Sequence, residues 1–341
     1  MSAPALDLAA VRCRLAEAGV GSAGELTADR IAGGRSNQTF VLRDGGDPRW
    51  VLRCPPFAGR TPSAHDVARE FRVTTALHGT GVPVAAPVLL CEDDDVLGVP
   101  FTVVEYVAGR TVRTAADLAE LSDADLDRCV DELLARLAAL HAVDPDAAGL
   151  AGFGRRDAYA ARQLRRWSAQ WVHVGTSAPA ATAELERRLR EQLSRHVPDQ
   201  DTVSVVHGDF RIDNTLLDPS DPGIVRAVVD WELSTIGDPV ADVAMMRVYR
   251  HPALDLIVGE RAAWTSDRLP GSEELLARYE EQAGVRLRGN DFHLALGYYK
   301  LAVIAQGIHH RHLSGATSGD EFATAGDAVA DLFRSGMGVF G

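Results

Sequence analysis

The feature that most constrains this chain is the polar run HGDFRIDN, residues 207–214, followed one turn later by VVDW, residues 228–231. Residues 203–206 are a short apolar run with the length of a strand, and residues 215–217 are another. The loop between them carries His207, Asp209, Asp213 and Asn214. Residues 218–223 hold two prolines and a glycine, a turn composition, and residues 224–229 are a β-branched run that delivers Asp230 at its end. A hairpin here brings Asp209, Asn214 and Asp230 towards one place. Two carboxylates and an amide are hard oxygen donors for a metal, and one of those carboxylates can take a proton.

The chemistry fits phosphoryl transfer. In the protein-kinase template H-x-D-x-x-x-x-N, the aspartate accepts the acceptor hydroxyl's proton, while the asparagine and a later aspartate hold Mg²⁺ across the nucleotide phosphates. Asp209 and Asn214 have that spacing, and Asp230 follows the next strand. Two ordinary polar loops around a hairpin are the bland alternative, but spacing, strand placement and residue type agree at three positions.

HGDFRIDN together with VVDWELSTIGDPVADVA resembles the aminoglycoside phosphotransferase and choline kinase-like group, a branch of the protein-kinase-like fold. Within that group it is similar to the kinase-like domains associated with acyl-CoA dehydrogenases. The resemblance extends from Ile31 to Leu313. It implies a bilobal α+β fold. Residues 1–107 would form a small lobe with an antiparallel sheet and one helix, and residues 108–341 a larger, mostly helical lobe. It also implies ATP (or GTP) and Mg²⁺ as cofactors, Asp209 as the catalytic residue, and Asn214 and Asp230 as metal ligands.

Length and composition agree with this expectation. A chain of 341 residues exceeds the usual size of one core, so two packed lobes are expected. With 46% hydrophobic residues it reads as a soluble globular protein. Asp7, Arg12 and Arg14 interrupt the stretch where a secretory segment would be apolar, so an amphipathic helix and a cytoplasmic location are expected. Four separated cysteines form no C-x-x-C pair, which argues for reduced thiols and against structural zinc. A net charge of −13 would repel a polyanion, so nucleic acid is not an expected partner. Residues 292–313 are apolar enough to resemble a membrane span, but Lys300, Gln306 and the flanking histidines make a buried core helix the better reading. Lys300 is the only lysine, a compositional bias before it is a functional signal. Oligomeric state is not legible.

Several further positions take roles from the resemblance. Gly33, Gly34, Ser36 and Asn37 form a glycine turn that would cover the nucleotide phosphates, with Gly34, Ser36 and Asn37 as its contacts. Arg53 ends the strand at residues 50–53, where kinases carry a phosphate-binding lysine. Arginine keeps the charge and adds a bidentate fork. Glu70, on a helix over residues 65–78, is the candidate partner of Arg53. Two strands, residues 82–90 and 100–107, flank an acidic turn, and backbone groups of Glu105, Tyr106 and Val107 would meet the base. Residues 115–142 read as one helix with a wide apolar stripe, and His141 at its end reads as a packed histidine. In the helix over residues 157–174, Arg162, Arg165 and Arg166 group on one face. They face either water or the acceptor cleft, and in the second case suit an anionic acceptor. Trp231 is a further acceptor-site candidate. Asp238 reads as a helix cap, and Asp242 as a support behind the catalytic loop. His309 and His312 share a helical face with no carboxylate or cysteine nearby to complete a metal site.

The expected function is ATP- and Mg²⁺-dependent phosphorylation of a small-molecule hydroxyl, with Arg53 steadied by Glu70 and no lysine involved. The acceptor stays open between a hydroxyacyl-CoA or similar hydroxylated metabolite and an aminoglycoside- or choline-type amine. The rival from another class is a nucleotide-binding pseudokinase acting as a regulatory module. Arg53 favours that rival, and the intact Asp209, Asn214 and Asp230 speak against it.

Overall fold

The computed structural model describes residues 6–31, 37–57, 66–315 and 320–341. Helix α1 (Leu8–Glu17) starts where the Asp7 carboxylate accepts the Ala10 amide at 3.0 Å. It buries Val11 and Leu15. Strands β1 (Leu26–Arg30), β2 (Gln38–Asp44) and β3 (Asp47–Cys54) follow, then helix α2 (Val67–Leu77), β4 (Pro87–Cys91), a short helix α3 (Asp94–Leu97) and β5 (Phe101–Glu105). The strands form one antiparallel sheet in the order β1-β2-β3-β5-β4. Along β3 the two-residue period buries Trp50, Leu52 and Cys54 in the inner core and turns Arg53 to the opposite face.

Two expectations are corrected here. The strand expected over residues 82–90 begins only at Pro87. Residues 82–86 pack across to the other lobe instead, with the Pro83 carbonyl accepting the Val228 amide at 2.8 Å. The acidic turn contains α3, because the Asp93 carboxylate caps the Asp95 amide.

The second part of the chain is mostly helical. Residues 115–142, expected as one helix, split into α4 (Ala115–Ala119) and α5 (Asp123–His141). A Thr114–Asp117 capping box starts the first and Ser122 caps the second, and these local bonds override a continuous stripe. Helices α6 (Tyr159–Val174) and α7 (Ala180–Arg195) precede four short strands, β6 (Ser204–Val206), β7 (Thr215–Leu217), β8 (Val225–Val228) and β9 (Thr235–Gly237). β7 and β8 form the expected hairpin, and β6 pairs with β9. Then come α8 (Val240–Val248), α9 (Ala253–Val258), α10 (Ser272–Ala283), α11 (Asn290–Leu313) and α12 (Val329–Gly338). Helix α11 is the expected core helix, with Tyr299, Ala302 and Ala305 fully buried, and no described helix is long and apolar enough to cross a membrane.

The result is a bilobal α+β fold with two apolar cores. The smaller lies under the sheet, and the larger unites α5, α6, α8 and α11. Val73 and Leu77 of α2 belong to the larger core, so this helix joins the sheet to the helical part. The linker after β5 is fixed in the same way. Arg110 and Leu217 exchange backbone hydrogen bonds at 2.8 and 2.9 Å, holding the linker against the β7–β8 hairpin.

Candidate active site

The loop from His207 to Asn214 is held from beneath by a buried carboxylate. Asp242, in the first turn of α8, accepts the His207 amide at 2.6 Å and the Gly208 amide at 2.7 Å. His141 Nε2 lies 3.2 Å from the same carboxylate, and its Nδ1 is 2.7 Å from the Tyr279 hydroxyl. Burial pushes the Asp242 carboxyl up, but these donors outweigh it and hold it below the usual carboxylate range. Gly208 has φ +86°, and a Cβ there would come within 2.9 Å of the Leu233 carbonyl oxygen, so glycine is required at this turn. His207 is structural as well. Its Nε2–H donates to the Val229 carbonyl at 3.0 Å, and its Nδ1 accepts the Asp209 amide at 3.2 Å.

Each oxygen of the Asp209 carboxylate is therefore aimed by a short, braced loop. Oδ2 accepts from Asn214 Nδ2 at 2.9 Å, and Oδ1 accepts from the Tyr249 hydroxyl. Arg211 Nε lies 3.4 Å from Oδ1, and its Nη1 pairs with Asp213 at 2.9 Å. Burial raises the Asp209 carboxyl, while Arg211, Tyr249 and Lys300 together hold it below its ordinary value, so it is charged at neutral pH. Asp213 differs. Burial and the nearby Asp209 push it up to about 6 despite Arg211.

Asp230 follows β8 in a left-handed conformation, φ 65°, and its side chain is 38% exposed. Arg53 reaches it from β3. Nη2 donates to Asp230 Oδ1 at 3.0 Å and Nη1 pairs with Glu70 Oε1 at 2.9 Å, with Glu232 at 3.7 Å. The expected Arg53–Glu70 pair is thus present and extends to Asp230. Three carboxylates share one guanidinium, and burial together with Asp230 and Glu232 raises Glu70 to about 7 in spite of Arg53. That excess of negative charge, and the hard oxygens of Asp230 and Asn214, fit a divalent cation that arrives with phosphate ligands of its own. Among the described residues no group of three His, Cys, Asp or Glu side chains could hold a metal without such help.

The other expected contacts are distributed unevenly. Gly34 and Ser36 lie outside the described residues. Asn37 is buried, and its Oδ1 has no hydrogen-bond partner among the described residues. The Glu105 and Tyr106 amides already donate to the Ala86 and Arg49 carbonyls, both at 2.9 Å, so neither amide is free to meet a base. Arg162 Nη2 donates to the Arg155 carbonyl at 2.6 Å, while its buried Nη1 lies 3.9 Å from Asp157 with no hydrogen-bond partner among the described residues. Arg165 and Arg166 are exposed, with Arg166 beside Trp167. Trp231 is a correction: only 2% exposed, it donates to the Val228 carbonyl at 2.9 Å and packs on His207, so it supports the loop and cannot line an acceptor pocket.

Two residues close to Asp209, Tyr249 and Arg211, were not singled out from the sequence, and Lys300 was noted there only as the single lysine. Lys300 Nζ, from α11, donates to the Gly208 carbonyl at 3.1 Å and so meets the catalytic loop. Its isolation in an apolar helix was the available signal. An open groove of about 660 Å³ lies behind α2 between Arg69, Arg72 and Phe153 and is not part of this site.

A two-lobed fold with a braced aspartate, an asparagine five residues on and an arginine joining both lobes defines a kinase-like phosphotransferase. The chain belongs to the phosphotransferase enzyme family, whose profile matches residues 27–281. It is 37% identical over 321 residues to acyl-CoA dehydrogenase family member 11 of Gallus gallus, and 34% identical over 316 residues to its Homo sapiens counterpart. Both matches cover 92% of this chain but only 40% of the relative, so the chain spans about two-fifths of their length. A solved structure of the aminoglycoside phosphotransferase type from Ralstonia eutropha superposes with a TM-score of 0.82 at 32% identity, covering 98% of each chain. Aminoglycoside phosphotransferase APH(4)-Ia, in a ternary complex with AMP-PNP and hygromycin B, shares the fold at 19% identity with a TM-score of 0.61, covering 96% of this chain and 99% of that one.

Proposed function

We propose that this chain transfers the γ-phosphoryl group of ATP or GTP to the hydroxyl of a small molecule. The observation that carries the proposal is the Asp209 carboxylate, charged and aimed by Asn214 and Tyr249, beside a loop whose amides are gripped by Asp242. Asp209 orients the acceptor hydroxyl and takes its proton as the new P–O bond forms and the nucleoside diphosphate leaves. Asn214 and Asp230 would hold Mg²⁺, which when bound neutralises phosphate charge. Arg53, positioned by Glu70, steadies the phosphates, and residues 1–107 and 108–341 act as the two lobes that enclose the nucleotide. The acceptor class we favour is a hydroxyacyl-CoA or a similar hydroxylated metabolite, supported by the acyl-CoA dehydrogenase relatives. A panel of hydroxy acids, their thioesters, choline and aminoglycosides in a nucleotide-consumption assay tests this. Turnover with amines alone would overturn the acceptor class.

Metal binding gives a separate expected result. Asp230→Ala should remove the Mg²⁺-dependent part of the nucleotide-induced thermal shift, while Asp213→Ala, whose carboxylate is engaged by Arg211, should keep most of it. Equal loss in both variants would mean the ligand is misplaced.

A second reading, a nucleotide-binding pseudokinase, is favoured by arginine at position 53. Transfer rates separate the two. An enzyme adapted to the guanidinium should lose about 10-fold to 150-fold in Arg53→Ala, the worth of a charge-assisted hydrogen bond of roughly 1.5–3 kcal/mol. Arg53→Lys should recover only part, because an ammonium gathers its donors on one nitrogen and lacks the planar fork that reaches Glu70 from Nη1 and Asp230 from Nη2. A lysine variant faster than the arginine protein would favour the pseudokinase.

A further inference from the structure

Resting on the phosphotransferase reading above, we infer that Lys300 is a specificity-determining residue. It binds a carbonyl or carboxylate oxygen of the acceptor, beside the hydroxyl that Asp209 activates, and it excludes cationic acceptors.

The ammonium stands at a cavity between α6 and α11, next to the catalytic loop, lined by Tyr159, Gln163, Trp167, Gly208 and Lys300 among others. Lys300 has three N–H donors, and one of them goes to the Gly208 carbonyl at 3.1 Å. Among the described residues no other hydrogen-bond acceptor for it is present, and the Trp167 ring lies 5.7 Å from Nζ. Asp242 also lines the cavity, but its oxygens are taken by two backbone amides and His141. What remains is a half-buried cation with donors to spare, bonded to the residue that precedes Asp209 in the chain.

Size points the same way. The cavity measures about 40 Å³, and a water needs about 10–15 Å³, so there is room for a small polar end group beside Nζ. A carbonyl or carboxylate fills it and meets the ammonium. A quaternary or primary amine brought to Nζ meets like charge.

Two measurements test this. In steady-state kinetics with a hydroxy-acid acceptor, Lys300→Met should raise the acceptor KM about 10-fold to 150-fold, the range for losing a charge-assisted hydrogen bond, with nucleotide Kd unchanged and Lys300→Arg intermediate. In the wild-type protein Lys300 is the sole ε-amine, so acetylation by an amine-reactive ester, followed by mass spectrometry of its peptide, reads that residue alone. Hydroxybutyrate and its N-acetylcysteamine thioester should slow labelling at least tenfold, and choline should not. An acceptor KM that ignores the substitution, protection by choline, or no protection by either hydroxybutyrate probe would overturn the inference. If Lys300→Met also loses nucleotide affinity, the wild-type labelling decides. Protection without phosphoryl transfer would sink the proposed function and keep the Lys300 site. Transfer without protection would do the reverse.

Discussion

Replacing Asp209 by asparagine is expected to slow phosphoryl transfer by about 10²–10⁴-fold, the usual contribution of a positioned general base. The amide matches the carboxylate in shape, so Asn214 and Tyr249 keep a neighbour to bond, but an amide cannot accept the hydroxyl's proton. Nucleotide affinity should change little, because the phosphate contacts assigned to Arg53, Asn214 and Asp230 are untouched. Loss of kcat with a preserved nucleotide Kd is the pattern to measure. A variant with full activity would remove Asp209 from the chemistry.

The second large effect is on stability. Asp242→Ala is expected to destabilise the fold by about 2–6 kcal/mol, since it leaves the His207 and Gly208 amides without an acceptor at about 1–3 kcal/mol each. Asp242→Asn keeps one acceptor oxygen and should fall between alanine and wild type. Denaturant unfolding of the three proteins checks the order. The pH dependence follows from the same contacts. The Asp242 carboxyl is held below its ordinary value in the fold, so its stabilisation is present above the unfolded carboxylate range and is lost as pH falls through the lowered folded value. The gap between wild type and Asp242→Asn should therefore close on acidification.

How much of this was legible in the chain depends on the distance between the parts. Strand β7 and the hairpin to β8 were readable because β-branched residues, a proline-rich turn and a polar loop lie within twenty-odd residues of one another. Arg53 and Glu70 were readable as a pair from strand–helix order, although their further link to Asp230 was not. Strand β9 has three residues and too short a pattern for any period to show. The break at Ser122 was hidden because the apolar stripe continues across it and only the side-chain caps reveal two helices. Tyr249 and Lys300 reach the catalytic loop from 40 and 92 residues away, and no local pattern marks such contacts. Trp231 shows the opposite failure. It was an acceptor-site candidate, whereas after the left-handed turn at Asp230 the indole is buried in the core.

The most direct measurement is single-turnover transfer from a γ-labelled nucleotide in Mg²⁺, with the wild-type protein and Asp209→Asn side by side and the products separated by mass. In the wild type the label is expected in a phosphate ester of a hydroxylated acid or its thioester, and in the variant almost entirely in unreacted nucleotide. Equal ester formation in both proteins, or label released only as inorganic phosphate whatever hydroxylated acceptor is supplied, would contradict phosphoryl transfer through Asp209.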